Sequence, residues 1–364
     1  MREIEIYGDL LQKRPDLGMN LFEDDPSIYV GGGTPSVPDS GMVCDVLRRT
    51  AEVFDISENA EKTIEVNPFS FTAQKALDYI EAGFNRISIG VQSLDDKVLK
   101  TLGRLHDRHR AIEAIETAGD AGFTNISADL MIGVPGQSLE GIIEDADTLI
   151  EHGARHISMY SLTIEEGTPF YERYSKTLED IVPQETERAM YHGLREHLRS
   201  RGLMPYEISN CAIPGYESRH NSHYWRGGEY FAIGAGAHAY IESVRFAHPD
   251  DADSYMKAMK AVTSSDFEQM LDGGRDDIGA AIALERLEGE DKMHEYAMLM
   301  LRTSGGVDCR EFKTRFGADA RKVFEQAIDE NKRKGLLEDT GSFLRLSKEG
   351  LDFANGVFAD FLLS

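Results

Sequence analysis

Residues 29–36 read YVGGGTPS, and the three successive glycines follow a short apolar run that is typical of a β-strand. Glycine loses more backbone entropy on folding than other residues, so a run of three is costly unless bare backbone is needed there. A tight turn after a strand would explain the run equally well. The surrounding sequence decides between these two interpretations.

Short apolar segments alternate with helical patterns along the first two thirds of the chain. The segments that predict strands are SIYVGG (27–32), TIEVN (63–67), RISIGVQ (86–92), NISADLMIG (125–133) and HISMYSL (156–162). EAGF (81–84) and DAGF (120–123) each stand where a helix leads into the next strand. In both we expect the glycine to cap the helix in a left-handed conformation and the phenylalanine to pack under the sheet. This order predicts βα units and a parallel sheet, as in a barrel or partial barrel.

The rest of the chain reads differently. From about 170 to 245 the pattern loosens, and clustered aromatic and glycine residues favour a loop-rich binding surface. The segment 246–290 is acidic and less regular and ends in a helical run. A helix over 291–303, a long helix over 321–337, a strand pair around Leu337 and Leu344 and a last helix then predict a small winged-helix-like domain. We therefore predict a partial barrel over 1–170, its completion with the binding loops over 171–290, and the small domain over 291–364.

Composition excludes several classes of protein. The 364 residues carry 64 acidic against 39 basic side chains, a net charge of −25, which argues against binding to nucleic acid. No apolar run is long enough to span a membrane, and the residues after Met1 are amphipathic, unlike a signal peptide. Cys44, Cys211 and Cys309 are widely separated, which fits neither a disulfide framework nor a metal-binding spacing. We expect a cytoplasmic protein.

Polar groups recur where the predicted strands end. They are Gly31 to Gly33 with Thr34 after the first strand, Glu65 in the second, Gln92 in the third, Asp129 in the fourth, Tyr160, Ser161 and Thr163 at the fifth, and Arg104 one helix after Gln92. Each has a structural alternative, since Glu65 could favour a helix N-terminus and Gln92 or Asp129 could cap the following helix. The carboxyl ends of parallel barrel strands meet at one mouth, so the whole set favours a binding site.

The motifs GGGTPS, IEVNP, RISIGVQS, LGRLH and ADLMIGVPGQ resemble those of the radical S-adenosylmethionine (SAM) enzymes of the oxygen-independent coproporphyrinogen III oxidase group. The block 206–240, which contains HNSHYW, is similar to the HemW heme-chaperone branch, which shares the fold without the oxidase activity. The resemblance implies an α/β fold, a partial (β/α)6 TIM-like barrel whose first strand is missing here, with a C-terminal winged-helix-like domain. A coproporphyrinogen oxidase and a cluster-less binding protein stay open as alternatives, and so does the question whether the chain is an enzyme.

The resemblance also implies roles for individual residues. Gly32, Gly33 and Thr34 would line the methionine end of SAM, and Glu65 would pair with its α-ammonium group. Further positions that match ligand-binding sites are Gln92, Arg104, Asp129 and Thr163, with Arg104 suited to a carboxylate and Asp129 to a ribose hydroxyl or an ammonium. His220, Asn221 and Tyr224 of the HNxxYW stretch would contact heme. His220 and His238 are either ligands of the heme iron or scaffold residues.

One part of the family pattern is absent from this sequence. The [4Fe–4S] cluster of the family needs a CxxxCxxC loop after the first barrel strand, and neither that loop nor an equivalent spacing of the three cysteines occurs. We expect either that the true start lies upstream, the favoured interpretation, or that this is a natural cluster-less relative. The expected partners are heme and heme-accepting respiratory proteins, with peripheral membrane contact as an option. Recipient and oligomeric state stay open.

Overall fold

A computed structural model describes residues 1–17, 26–54, 56–177 and 181–362 of the chain. They divide into two compact units. The sheet unit comprises Ser27–Cys44 and Glu61–Ser218, and the terminal unit comprises Met1–Pro26, Asp45–Ala60 and Arg219–Ser364. In the described residues no helix combines the length and the apolar character that crossing a membrane requires.

A seven-stranded sheet forms the centre of the sheet unit. Its strands are β1 (Ser27–Val30), β2 (Glu61–Val66), β3 (Arg86–Gln92), β4 (Asn125–Ile132), β5 (His156–Ser161), β6 (Met204–Pro205) and β7 (Asn210–Ala212). They lie in the order β1-β2-β3-β4-β5-β7-β6. Strands β1 to β5 are parallel, whereas β7 is antiparallel to β5 and β6 antiparallel to β7. The five predicted strands are thus confirmed, each within two residues of its bounds.

Helices connect the parallel strands. The chain begins with α1 (Arg2–Lys13), which belongs to the terminal unit. The helices that follow in chain order are α2 (Ser40–Val53), α3 (Ala73–Ala82), α4 (Asp96–Thr101), α5 (Arg108–Ala121), α6 (Leu139–Glu151), α7 (Pro169–Tyr174) and α8 (Gln184–Ser200). Gly83 and Gly122 end α3 and α5 with φ angles of 102° and 111°, in the left-handed region. Phe84 and Phe123, which follow them, are buried. The predicted helix-to-strand junctions are therefore confirmed.

The two faces of the parallel sheet differ in chemistry, because successive side chains of a strand point to opposite faces. One face carries buried aliphatic side chains such as Ile64, Ile87 and Ile126. The other carries a polar row in register, listed strand by strand: Glu65 beside Ser88, Ser88 beside Ser127, and Ser127 beside His156. Parallel strands buried on both faces usually read as continuous hydrophobic runs, so the alternation marks a polar barrel interior.

The terminal unit packs helix α1 on a second sheet. Further elements are α9 (Arg219–Trp225), β8 (His238–Ile241), β9 (Val244–Ala247), α10 (Ala252–Ala261), α11 (Ser264–Leu271) and β10 (Ile282–Arg286). The strands pair in the order β10-β9-β8. Ile4, Tyr7 and Leu10 of α1 are fully buried and pack in one core with Phe246 and Phe267.

The C-terminal domain has three strands and several helices. They are α12 (Glu290–Leu301), β11 (Val307–Asp308), α13 (Cys309–Phe316), α14 (Ala320–Val323), α15 (Glu325–Arg333), β12 (Leu337–Asp339), β13 (Phe343–Leu346) and α16 (Ala354–Leu362). The antiparallel sheet, in the order β11-β13-β12, and the helices before it form the predicted winged-helix-like fold.

Three local predictions are wrong. The supposedly loose region 170–245 contains α8, a helix of 17 residues, and the irregular segment 246–290 contains α10, α11 and β10. The helix predicted over 321–337 is interrupted at Phe324, whose φ of −107° and ψ of 25° are not helical. The interruption places the fully buried Phe324 ring 5.0 Å from that of Phe361 and 5.7 Å from that of Phe312. Burial of this ring outweighs the continuity of the helix.

Candidate functional site

The glycine run follows β1 directly and meets two different demands. A Cβ at Gly31 would lie 2.6 Å from a ring carbon of Tyr29 and 3.0 Å from the carboxylate of Glu65, so only bare backbone fits there. Gly32 and Gly33 have φ angles of +82° and +28°, and nothing surrounds their Cβ positions. The run therefore combines a close approach to Glu65 with a left-handed turn that leaves open space above the strand.

The loop that contains these glycines is fixed to its neighbour. Ser36 Oγ lies 2.7 Å from Ser70 Oγ and accepts a 2.9 Å hydrogen bond from the backbone N–H of Asn67. The ammonium group of Lys75 donates to the carbonyl of Ser36. These bonds tie the end of β1 to the segment after β2, so the backbone of residues 31–36 is held in one conformation.

Glu65 lies near the carboxyl end of β2, where Tyr29 orients it. The Tyr29 hydroxyl donates a short hydrogen bond to Glu65 Oε1. Burial, together with the adjacent carboxylate, raises the pKa of Tyr29, so the phenol stays a donor. Glu65 Oε2 is the oxygen nearest the bare backbone of Gly31. One carboxylate oxygen is thus used in the protein, and the other faces the glycine loop.

Asp129 is the fifth residue of β4 and projects from the same polar face. Its Oδ1 accepts a 3.2 Å hydrogen bond from Ser88 Oγ on β3, and the Ser158 hydroxyl on β5 also bonds to it. Burial and the nearby Glu65 carboxylate raise the pKa of Asp129 to about 6, against the lowering effect of the two hydroxyls and of Arg86. A carboxyl group with this pKa changes its charge close to physiological pH, which is common at ligand sites.

Gln92 ends β3 in a strained conformation. Its φ of 69° lies in the left-handed region, where residues other than glycine are uncommon. The register between β3 and β4 shifts between Ile89 and Gln92, which places Gln92 opposite Leu130, next to Asp129. The side-chain amide nitrogen of Gln92 lies 3.1 Å from the Cβ position of Gly90, so the amide folds back over the polar face. Bulges with such outliers often redirect a side chain at a functional site.

Arg104 follows α4 and is electrostatically coupled to Asp129. Burial lowers the pKa of Arg104, and the Asp129 carboxylate partly offsets this effect. His106, two residues after Arg104, ties this loop to β3, because its Nε2 lies 3.0 Å from the carbonyl oxygen of Val91. A half-buried guanidinium near a carboxylate can bind a further carboxylate group through two parallel hydrogen bonds.

The structure brings Gly31, Glu65, Gln92, Asp129 and Arg104 together through these contacts and electrostatic couplings. Thr34 is half-buried in the fixed loop, and Thr163 is exposed two residues after β5. SAM has a zwitterionic amino-acid end and a sulfonium charge. The carboxylates of Glu65 and Asp129, the Arg104 guanidinium and the exposed backbone of the glycine loop are complementary to these charges.

The HNxxYW residues form helix α9 of the terminal unit. The rings of His220 and Tyr224 meet edge to face with centroids 4.6 Å apart, and Tyr224 meets Tyr230 at 4.5 Å. Burial raises the pKa of Tyr224 to about 12. Asn221 is half-buried, whereas His238 is exposed at the start of β8. The structure therefore gives His220 an aromatic environment and gives His238 access to solvent.

The sequence analysis missed His223, which lies in the same helix. Its Nε2 donates a 2.7 Å hydrogen bond to the carbonyl of Glu229, and a Cβ at Gly228 would lie 2.3 Å from the imidazole ring. His223 thus packs flat against bare backbone and supports the loop after α9. Its position between Asn221 and Tyr224 was the available signal.

The sequence analysis also missed the hydroxyl groups that orient the two carboxylates: Tyr29, Ser88 and Ser158. Ser88 and Ser158 are polar residues in strands where a buried parallel sheet is expected to be apolar, which was a readable signal. Tyr29 gave none, because aromatic residues are common in strands.

The cysteines present do not fit a [4Fe–4S] cluster. Cys44 lies in α2, Cys211 in β7 and Cys309 at the start of α13; all three are buried and none is in a disulfide. Burial raises the pKa of Cys211 to about 12 and also raises that of Cys309, whereas cluster ligands are thiolates. Among the described residues, no three His, Cys, Asp or Glu side chains are grouped as metal ligands.

Comparison with known proteins agrees with this geometry. The radical SAM superfamily matches residues 19–181, and the HemN C-terminal domain matches residues 287–353. The structure of coproporphyrinogen III oxidase (HemN) from Escherichia coli superposes with a TM-score of 0.73, covering 97% of this chain and 83% of that chain at 16% identity. This likeness confirms the predicted fold class.

Relatives found by sequence similarity define the family more narrowly than the fold does. The heme chaperone HemW of Bacillus subtilis is 33% identical over 341 residues, which cover 92% of this chain and 85% of that protein. HemW of Haemophilus influenzae is 36% identical over 341 residues, covering 92% and 82%. The chain therefore belongs to the HemW heme-chaperone family of the radical SAM superfamily.

Proposed function

We propose that this chain is a heme chaperone that binds SAM on the polar face of its barrel sheet, binds heme in its terminal unit and transfers heme to respiratory proteins. The single observation that supports this function most strongly is the similarity to HemW over 92% of the chain, which includes both the strand-end residues and the HNxxYW helix. We further propose that it acts in the cytoplasm, because none of its three cysteines is in a disulfide.

In the proposed SAM site the negative side chains supply most of the recognition. Glu65 takes the α-ammonium group through the oxygen beside Gly31. Arg104 takes the carboxylate, and Asp129 takes a ribose hydroxyl or a positive charge. Gly32, Gly33 and Thr34 present backbone to the methionine end, while Gln92 and Thr163 complete the set. Charge-assisted contacts of this kind are about twice as strong as neutral hydrogen bonds.

In the family a [4Fe–4S] cluster supplies one-electron chemistry on SAM. Because the three cysteines of this chain do not fit such a cluster, we assign to the chain binding and orientation only. For heme, we propose His220, Asn221 and Tyr224 as contact residues, with His220 or His238 available as an axial ligand through a neutral imidazole.

Two titrations test the proposal. Addition of hemin to the purified protein should shift the Soret band with a saturable, stoichiometric end point, and calorimetry should detect SAM binding independently. Absence of a hemin-dependent Soret shift would rule out the chaperone function. Turnover of coproporphyrinogen by the protein would replace it with the oxidase function.

A further inference from the structure

A cavity of about 530 Å³ lies within the terminal unit, against α9, the turn of the β8–β9 hairpin and the first helices of the C-terminal domain. Its volume falls in the ordinary range for small-molecule and cofactor sites. The side chains that matter for its chemistry are Arg219, Arg226, Lys292, Arg315, Tyr296 and Phe316. Four of these six are cationic in a chain whose net charge is −25.

Three of the cations are not neutralised by an ion pair. Within the described part of the chain, Arg226, Lys292 and Arg315 have no carboxylate oxygen within 4 Å, although acidic residues outnumber basic ones 64 to 39. Arg315 instead donates to the backbone carbonyls of Arg226 and Gly227, at 2.9 and 3.4 Å. Cations left without counter-charges around one cavity favour an anionic ligand.

The acidic residues of the cavity wall are occupied elsewhere. Glu295 forms a 2.7 Å ion pair with Arg245, and Glu311 accepts a 3.0 Å hydrogen bond from the Tyr296 hydroxyl. Burial raises the pKa of Glu229, whereas its hydrogen bonds from the backbone N–H groups of the β8–β9 turn and the positive charge of Lys292 act in the opposite direction. The positive charge at the cavity is therefore only partly offset by its own wall.

Aromatic side chains also line the cavity, among them Tyr240, Tyr296 and Phe316. The Arg315 guanidinium lies 4.8 Å from the centroid of the buried Tyr296 ring and 5.6 Å from that of Phe316. A second cavity of about 200 Å³ shares Gly227, Gly228 and Tyr240 with the first and continues to Tyr224 and Trp225 of α9. Planar rings bind well against aromatic side chains, so a ligand with both carboxylates and a large flat ring matches the pair of cavities.

We propose that this cavity binds the propionate side of heme, with Arg226 and Lys292 contacting the two carboxylates and the macrocycle extending along the aromatic wall toward Tyr224. The proposal rests on the heme-chaperone function and adds the residues that recognise the carboxylates of the cargo. Arg315 holds the loop at Arg226 in place through its two carbonyl bonds and contributes charge from behind.

The test combines a change in the protein with a change in the ligand. Hemin and hemin dimethyl ester, in which both propionates are esterified, are titrated against the wild type, the double variant Arg226→Gln/Lys292→Gln and the control Arg333→Gln/Lys348→Gln. Arg333 and Lys348 are exposed residues outside the cavity, so the control carries the same change in net charge. Thermal unfolding verifies that all three proteins are folded.

We expect the cavity variant to bind hemin about 10- to 100-fold more weakly than the wild type, as for the loss of one or two charge-assisted contacts, and the control to match the wild type. The ester should bind all three proteins with equal affinity. Equal hemin affinity of the cavity variant and the control would overturn the assignment of this cavity and leave the chaperone function standing. Absence of hemin binding to the wild type would overturn both.

Discussion

Glu3 in the terminal unit and Glu65 with Asp129 in the sheet unit are carboxylates with different kinds of partner. In the terminal unit, Glu3 is 2% exposed and lies 2.8 Å from Nε2 of His248. Its other oxygen accepts hydrogen bonds from the backbone N–H of Gly234 at 3.1 Å and from the Tyr255 hydroxyl. In the sheet unit, the hydrogen bonds to Glu65 and Asp129 from described residues come from the neutral hydroxyl groups of Tyr29, Ser88 and Ser158.

This difference in partners distinguishes Glu3, which stabilises the fold, from Glu65 and Asp129, which we propose bind a ligand. The second ring nitrogen of His248 lies 2.6 Å from the carbonyl oxygen of Ala280, so both nitrogens face oxygen acceptors, an arrangement that favours the imidazolium form. Glu3 is thereby neutralised inside the protein. Hydroxyl groups orient Glu65 and Asp129, and neither carboxylate forms an ion pair within 4 Å in the described part of the chain, although Arg86 and Arg104 act on Asp129 from a greater distance. A positively charged ligand could therefore pair with them.

The largest expected effect concerns the structural carboxylate. Glu3→Gln leaves the His248 imidazolium buried without its counter-ion, so we expect a loss of about 3–5 kcal/mol in the free energy of unfolding, measured by denaturant titration. Glu5→Gln on the same helix is the control. Its partner Arg49 lies at the surface, so the change should cost no more than about 1 kcal/mol.

The same pair has a defined pH dependence. Burial lowers the pKa of His248, but the bonds to Glu3 and to backbone carbonyls outweigh this effect, and the net change is upward. A raised histidine pKa stabilises the protein below the unfolded value and loses that contribution as pH rises through the folded value. The stability difference between wild type and Glu3→Gln should therefore narrow as pH rises. A constant difference would contradict the charged pair.

The next effect concerns Glu65, the carboxylate that we propose binds SAM. Glu65→Ala should weaken SAM binding by about 2 kcal/mol, as for the loss of a charge-assisted partner, with a much smaller effect on unfolding than Glu3→Gln. Calorimetric titration with SAM gives the affinity. Glu81→Ala, which removes an exposed carboxylate at the end of α3, should leave it unchanged. An unchanged SAM affinity of the Glu65→Ala variant would show that SAM does not bind beside the glycine loop.

Asp129 provides a test through pH. Because its pKa is about 6, SAM affinity should rise as pH increases from 5 to 7 and the carboxylate becomes charged, by at most about tenfold per pH unit. Asp129→Asn should abolish the rise. Stability should change in the opposite direction, since the folded chain retains a proton that the unfolded carboxyl group releases near pH 4, so the free energy of unfolding falls between about pH 4 and 6.

The smallest effect concerns the backbone. Gly122→Ala places a methyl group on a left-handed residue with φ of 111°, so we expect a loss of about 1 kcal/mol in the free energy of unfolding. Gly119→Ala, three residues earlier within α5 and with open space around its Cβ position, should instead stabilise by a few tenths of a kcal/mol or more. Thermal unfolding of the two variants distinguishes them.

The sequence predicted the sheet and much of the candidate site for one reason. Strand, glycine cap and following phenylalanine are local signals, and Glu65, Gln92 and Asp129 stand at positions that local strand bounds define. Helix α8 was missed although Met190, Tyr191, Leu194 and Leu198 are buried at helical spacing, because charged residues separate them and the aromatic cluster after it suggested loops. The interruption at Phe324 has no local signal, since its cause is burial against residues distant in sequence.

The cavity residues illustrate a second limit. Arg226, Lys292 and Arg315 come from three separate segments, and nothing in the sequence shows that their charges lack partners. Whether a charged side chain has an ion-pair partner can be seen only in the folded chain. The net charge of −25 indicates an acidic surface, and it gives no sign that cations cluster around one cavity.

The left-handed backbone at Gln92 sets stability against ligand binding. Such a residue costs on the order of 1 kcal/mol that a glycine would recover. Selection for thermal stability alone would therefore favour glycine at position 92. The side-chain amide beside Gly90 would then be lost. The more stable protein obtained in this way would lose a side chain that we propose contacts SAM, so stability and ligand binding would be opposed at a single residue.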